Sequence, residues 1–258
     1  MHNPIIRTLD IETAPNLADV WGIWQQNIGM TQIRERGYIM SFAYTDTDSD
    51  DVFYDDCRND ADDSRLVEGI IETLDEADII VGHNIKKFDL RWVNGKALAY
   101  GIQPPSPYKV VDTLLEARKI MYLLSYRLED VATELGCTPK SKHPKFPGHK
   151  LWSECLAGNK KAWDEMVDYN VQDVETTEEV YLKLRPYIKN HPNLGVYAES
   201  DRTVCGACMS DKIHYRGYFP TNTGLYRKYQ CQDCGHWGSH RHTEYPADKR
   251  KVLGKNVG

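Results

Sequence analysis

The segment Thr8-Leu9-Asp10-Ile11-Glu12-Thr13 limits what this chain can become more than any other stretch. Leu9 and Ile11 alternate with Asp10 and Glu12, which is the period of a β-strand. Side chains two apart on a strand share a face. One face is therefore apolar, and the other carries two carboxylates side by side. Like charges at that spacing repel, and burial makes each of them costlier. Such a strand needs a sheet that covers one face and cations that reconcile the charges on the other.

The rest of the chain supplies the sheet. Residues 38–46 and 50–56 read as two further strands joined by an acidic turn, so three strands in succession form an antiparallel meander. Residues 64–77 have helical periodicity, with Leu66, Ile70, Ile71 and Leu74 on one face. Strand, helix and strand then follow over 78–84, 88–101 and 108–113, and the chain to Ile188 is mostly helical. This order predicts an α/β fold, a mixed sheet of about five strands with helices on both faces. Pro186 and Pro192 break the last helix. The expected division is a domain over 1–192, a small module over 200–246 and a flexible tail over 247–258.

Composition excludes some classes. The 258 residues are 41% hydrophobic and 27% charged, as in an ordinary globular protein. No apolar run approaches the roughly 18 residues that would span a membrane, and no apolar leader follows Met1. The expectation is a cytoplasmic protein without a membrane partner. The net charge of −6 hides a split: residues 201–258 carry +5 and residues 1–200 carry −11. An acidic body can still meet nucleic acid when its carboxylates hold divalent cations.

Two more acidic positions complete a constellation. Asn84 and Asp89 flank the start of a helix after an apolar strand, and Tyr169 and Asp173 lie four apart on one helix face. Asp10-x-Glu12, Asn84-x-x-x-Phe88-Asp89 and Tyr169-x-x-x-Asp173 come in the order of the three motifs of the DEDD, or DnaQ-like, 3′–5′ exonucleases. Residues 5 to about 187 resemble the tyrosine branch of that family, including its stand-alone members from bacteriophages. The resemblance implies an RNase H-like fold and release of nucleoside 5′-monophosphates from 3′ ends. It also implies two Mg²⁺ or Mn²⁺ ions, suited to hard oxygen ligands. In that scheme Asp10 bridges both ions, Glu12 and Asp173 hold the one that activates water, and Asp89 holds the one on the leaving-group side. Tyr169, with an ordinary tyrosine pKa near 10, is expected to orient the water by a hydrogen bond rather than to act as the sole base. The implied setting is a bacterial or phage-infected cell, with single-stranded nucleic acid or 3′ ends as partner and a polymerase as a further candidate.

The cysteines give a second centre. Cys205-x-x-Cys208 and Cys231-x-x-Cys234 can bring four thiolates into a tetrahedron that suits Zn²⁺. The segment resembles a zinc ribbon, with a closed and hence structural ion. Tyr226, Arg227, Lys228 and Tyr229 between the knuckles have the composition of a surface that stacks bases and meets phosphates, or of the module's small core. Cys57, Cys137 and Cys155 read as ordinary buried thiols. Three lesser signals remain. Asp112 reads as a helix cap. Lys145 lies in a basic, Pro-rich loop over 140–150 that could reach phosphates. Trp21, Trp24 and Gln25 could contact terminal nucleotides, or the two tryptophans could pack in the core.

The resulting expectation is a metal-dependent 3′–5′ exonuclease, DNA favoured, with RNA or short oligonucleotides as the alternative substrate. The reading from a different class is an inactive adaptor that binds nucleic acid or protein through its zinc ribbon.

Overall fold

A computed structural model gives the fold and describes all residues except 1–2, 59, 139–142, 144, 223, 253, 255–258 and the side chain of Arg250. The chain divides into two compact units: residues 5–181, and residues 182–258 together with 1–4.

In the first unit the acidic strand becomes β1 (Ile6–Thr13). A two-stranded excursion follows, β2 (Leu17–Ala18) and β3 (Ile33–Glu35), and then β4 (Ile39–Asp46) and β5 (Val52–Asp56). Helix α1 (Ser64–Asp75), β6 (Ile79–Gly82), α2 (Asp89–Tyr100) and β7 (Lys109–Asp112) come next. Helices α3 (Thr113–Ile120), α4 (Leu128–Leu135), α5 (Lys150–Leu156) and α6 (Lys160–Leu184) close the unit. The sheet has five strands in the order β5-β4-β1-β6-β7. β1 pairs antiparallel with β4 and parallel with β6, so it lies where the sheet changes sense. This is the mixed sheet flanked by helices that the sequence predicts.

The faces of β1 sort as its alternation requires. Leu9 and Ile11 enter a core with Phe42, Leu66, Ile70, Ile80 and Val93, from β4, α1, β6 and α2. A β-bulge adjoins the carboxylates: Glu12 pairs with Ser41 but Thr13 pairs with Ile39, so Met40 is an extra residue. A bulge turns the strand locally. Here it lets Ile39 and Phe42 enter the α1/α2 core, while Met40 joins Leu151, Trp163 and Met166 of α5 and α6 in a second cluster.

Asp63 ties these layers together. It is fully buried just ahead of α1, and its Oδ2 accepts the Ile39 amide at 2.7 Å. Lys96 and the Tyr100 hydroxyl of α2 donate to the same carboxylate. A buried charge is tolerated only when paired and hydrogen-bonded in this way.

The second unit carries an antiparallel sheet of β8 (Ile213–Pro220), β9 (Leu225–Cys231) and β10 (Trp237–Thr243), in the order β10-β9-β8. Its centre is small. Tyr229, 4% exposed, lies over Gly238 of the paired strand, where even a Cβ would come within 2.3 Å of its ring. Ala247–Lys251 forms a short helix, α7, inside the stretch expected to be a tail. Residues 253 and 255–258 of that tail lie outside the described residues, as do 140–142 and 144 of the basic loop.

Candidate active site

Asp10 and Glu12 leave β1 on one face, and Asp173 reaches them from α6. One carboxylate oxygen of each lies within 4.8 Å of the others. Asp89 is not in that trio. It is 3% exposed, and its Oδ1 accepts the amide of Ile11, between the other two β1 carboxylates in sequence, at 3.2 Å. Burial pushes the Asp89 carboxyl up to about 7 against the pull of its own amide and that of Ile11, with Asp112 adding a smaller upward push. A group of carboxylates this close, with no neutral or soft donor among them, fits hard divalent cations and little else. Asp10, Glu12 and Asp173 would hold such ions, and Asp89 would contribute from beside them.

The supporting side chains are as informative as the acids. Fully buried Asn170 donates Nδ2–H to Asp10 Oδ2 at 2.9 Å. Its Oδ1 in turn accepts from the Ser41 hydroxyl at 3.0 Å. The indole N–H of Trp152, on α5, donates to Glu12 Oε2 at 3.2 Å. Trp152, His143 and Tyr169 form an edge-to-face aromatic trio, with ring centroids 5.2 to 6.1 Å apart. Tyr169 is held protonated: burial raises its pKa, and the charges of Asp173, Glu12 and Asp10 raise it further. A protonated phenol so placed donates a hydrogen bond and does not accept a proton.

The second motif builds a turn. Asn84 has φ of 66°, a left-handed conformation that asparagine tolerates better than most residues. Its carbonyl accepts from the amides of Lys87 and Phe88, at 3.0 and 3.1 Å. Gly82 just before it faces Ile85, whose side chain would lie 2.6 Å from any Cβ. Asp112 caps α3 through the amide of Leu115, as its sequence position predicts, and also accepts the amides of Asn84 and Lys86. His83 is a strand-end tie between Thr113 and the carbonyl of Tyr126.

Other expected contact residues fall in various places. Trp21 and Trp24 are 98% and 81% exposed on the excursion between β2 and β3, so neither packs in the core, and Gln25 beside them is exposed at φ 50°. Lys145 is exposed next to Phe146, which packs near Trp152 and Tyr169. In the second unit Tyr226 is half-buried, Arg227 is exposed with its guanidinium over Tyr215 at 4.0 Å, and Lys228 lies over Trp237 at 5.6 Å. Tyr229 is a correction: its ring is core and its hydroxyl bonds Val204 and Gly206, so it has no face for a base.

The four knuckle cysteines converge, with ligand sulfurs all within 4.8 Å. The two loops repeat one geometry. The amides of Met209 and Gly235 each bond the carbonyl four residues back, at 2.9 and 3.1 Å, and both residues have positive φ. Burial pushes the Cys208 thiol up to about 11. Cys231 sits near 7 because the amides of Cys234 and Asp233 outweigh its own burial. Four sulfurs in a closed group fit Zn²⁺ or a similar thiophilic ion. His236 bonds the carbonyl of Pro186, and His240 bonds the hydroxyls of Thr203 and Tyr215.

A model of the RNase H superfamily matches residues 28–185, more than half of the chain. The chain belongs to the RNase H superfamily. Within the superfamily match lie Asp89, Tyr169 and Asp173, while Asp10 and Glu12 precede it. A search of curated proteins finds none that matches. Among solved structures, this RNase H-like chain is similar to the family B DNA polymerase of the hyperthermophilic archaeon Pyrobaculum calidifontis. The identity is 19% and the TM-score 0.56, over 71% of this chain and 25% of the polymerase. The chain thus spans a quarter of that protein, and the likeness is one of fold.

Proposed function

We propose that this protein is a metal-dependent nuclease that removes nucleotides from the 3′ end of nucleic acid, with DNA the favoured substrate. The convergence of Asp10, Glu12 and Asp173 within 4.8 Å, from elements 160 residues apart in the chain, carries this reading. An acidic edge formed by chance has no reason to be fixed by a buried amide on one side and an indole on the other. When bound, two Mg²⁺ or Mn²⁺ ions would activate water and stabilise the leaving oxygen. The chain's own part is positional. Asn170 sets the Asp10 carboxylate, Trp152 sets Glu12, and the Tyr169 hydroxyl donates to the incoming water or phosphate oxygen. Preference for a 3′ end rests on the motif resemblance, and preference for DNA rests on the fold shared with part of a DNA polymerase. The cysteine module would carry one structural Zn²⁺ and hold nucleic acid through Arg227, Lys228 and Trp237.

The test uses matched 5′-labelled single-stranded DNA and RNA in Mn²⁺, alongside the Asp10→Ala variant. The expected result is a ladder on DNA that shortens from the 3′ end and is absent with the variant. Cleavage of RNA alone would reverse the sugar preference. Absence of any cleavage, with binding retained, would replace the nuclease with a binding protein on the same fold.

A further inference from the structure

The five-stranded sheet ends at β5, which pairs with β4 on one side and with no described strand on the other. Cys57, just past β5, donates its amide to the carbonyl of Met40 at 3.0 Å. Antiparallel pairing alternates, so Asp55 and Phe53 also turn their backbone groups to β4, and Val52, Tyr54 and Asp56 turn theirs outward. Those of Asp56 are taken: its amide donates to Asp55 Oδ1 at 2.8 Å, and its carbonyl accepts from Arg65 at 2.7 Å. Those of Val52 and Tyr54 bond no described residue across the open edge. A cleft lies on each face beside this edge, because Phe53 and Val52 point to opposite sides. On the α1 side, a cleft of about 400 Å³ has Phe53, 46% exposed, stacked on Tyr44 at 5.0 Å, with Glu68, Glu72 and Glu76 along its wall. On the α6 side, a cleft of about 350 Å³ runs from Val52 to Thr176 and is rimmed by Asp50, Glu175, Glu178 and Glu179. Thr176 is 1% exposed, and its hydroxyl has no hydrogen-bond partner among the described residues. Buried hydroxyls normally have one, so this one is open to an occupant of the cleft. Asp50, Glu68, Glu72 and Glu175 are exposed and form no ion pair with a described residue.

A row of open amides and carbonyls receives an extended peptide as a further strand. The acids decide which peptide. They repel the phosphates of nucleic acid, and a second copy of β5 would set Asp51, Asp55 and Asp56 against their own kind. We infer that β5 takes an extended segment of a partner protein, rich in Arg and Lys, as a sixth strand of the sheet. Its main chain bonds the amides and carbonyls of Val52 and Tyr54, and the pairing stops at Asp56. Its side chains alternate between the two clefts. On the α1 side a guanidinium lies over Phe53 and reaches Glu68 or Glu72. On the α6 side a lysine runs its stem past Val52 to Glu175. The inference stands apart from the nuclease reading, since it involves neither metal nor nucleic acid, and either can fail alone.

The test uses the full chain at physiological salt and a fluorescein-labelled peptide of about eight residues in which arginine and lysine alternate. A second peptide has the same side chains with every backbone amide methylated, so it keeps its charge and cannot pair as a strand. The expected result is binding of the first peptide and at least tenfold weaker binding of the second. Equal affinity would mean attraction by charge alone and would overturn the inference, as would no binding. Residue-resolved amide exchange gives the second readout: the first peptide should slow the Val52 and Tyr54 amides at least tenfold. Binding that leaves those two amides unchanged would overturn the inference. Slow exchange there in the free protein, increasing with protein concentration, would give the edge to a second copy and overturn it too. The Glu68→Gln/Glu72→Gln/Glu175→Gln variant changes exposed side chains and should fold, which its melting temperature checks. It should bind the first peptide at least fivefold more weakly; unchanged affinity would overturn the choice of a basic partner.

Discussion

Asn170 shows what a single amide can do for a cluster of acids. It spends both ends of its side chain, one on Ser41 and one on Asp10, and has no exposed surface. Replacing it with alanine should leave the fold intact and lower activity or divalent-ion affinity by about 10- to 100-fold, the usual effect of removing a ligand's orienting partner. Titration of Mn²⁺ against activity reads this directly. Asn170→Asp should be worse than alanine, because it adds a fourth negative charge to a trio already in repulsion. Tyr169→Phe should keep metal binding and slow turnover; full activity in that variant would remove the hydroxyl from the chemistry. Asp10, Glu12, Asp89, Tyr169 and Asp173 stood out because they come in the order of the resembled family's motifs; spacing alone puts Asp10 with Glu12 on one strand face and Tyr169 with Asp173 on one helix face. Their supports stood out less. Asn170 adjoins Tyr169 and could have been read from the helix face it shares with Asp173. Trp152 gave no signal at all, because it reaches Glu12 from 140 residues away.

Secondary structure elements were predicted better than the ways they join. β1 and α1 announced themselves by periodicity, since burial of one face imposes it, whereas β6, buried on both faces, showed as a short apolar run. The bulge at Met40 did not announce itself, because its cause is the competition of two cores for neighbouring residues of β4. Nor did Asp63, which looks like one more surface acid in an acidic run and is instead the buried junction of β4, α1 and α2. Asp63→Ala should cost about 2 to 4 kcal/mol, since it leaves the buried Ile39 amide unsatisfied and the ammonium of Lys96 without its partner. A chemical denaturation midpoint measures it, and a change below about 0.5 kcal/mol would contradict the role. In the smaller sheet, Gly238→Ala should unseat Tyr229 and loosen β9 from β10, visible as faster amide exchange confined to 213–243.

The molecule as a whole combines two sources of stability. Residues 5–181 bury a conventional core, whereas the cysteine sheet has little beyond Tyr229 and the cysteines to bury. A thiophilic ion held by the four cysteines would therefore supply much of the folding free energy of the second unit. Chelation should abolish exchange protection over 205–243 and leave that of β1, β4 and β6 unchanged; joint loss would mean the units do not fold separately. The described residues contain no helix long and apolar enough to cross a membrane. One further consequence follows from the pairing of Asp10 with Asn170 across 160 positions. A ribosome making this protein exposes β1 early and α6 late. Until α6 has left the exit tunnel, Asp10 lacks both the amide that sets it and the third carboxylate of the trio. On the proposed function, the growing chain is therefore inactive toward nucleic acid until α6 has emerged and folded against β1.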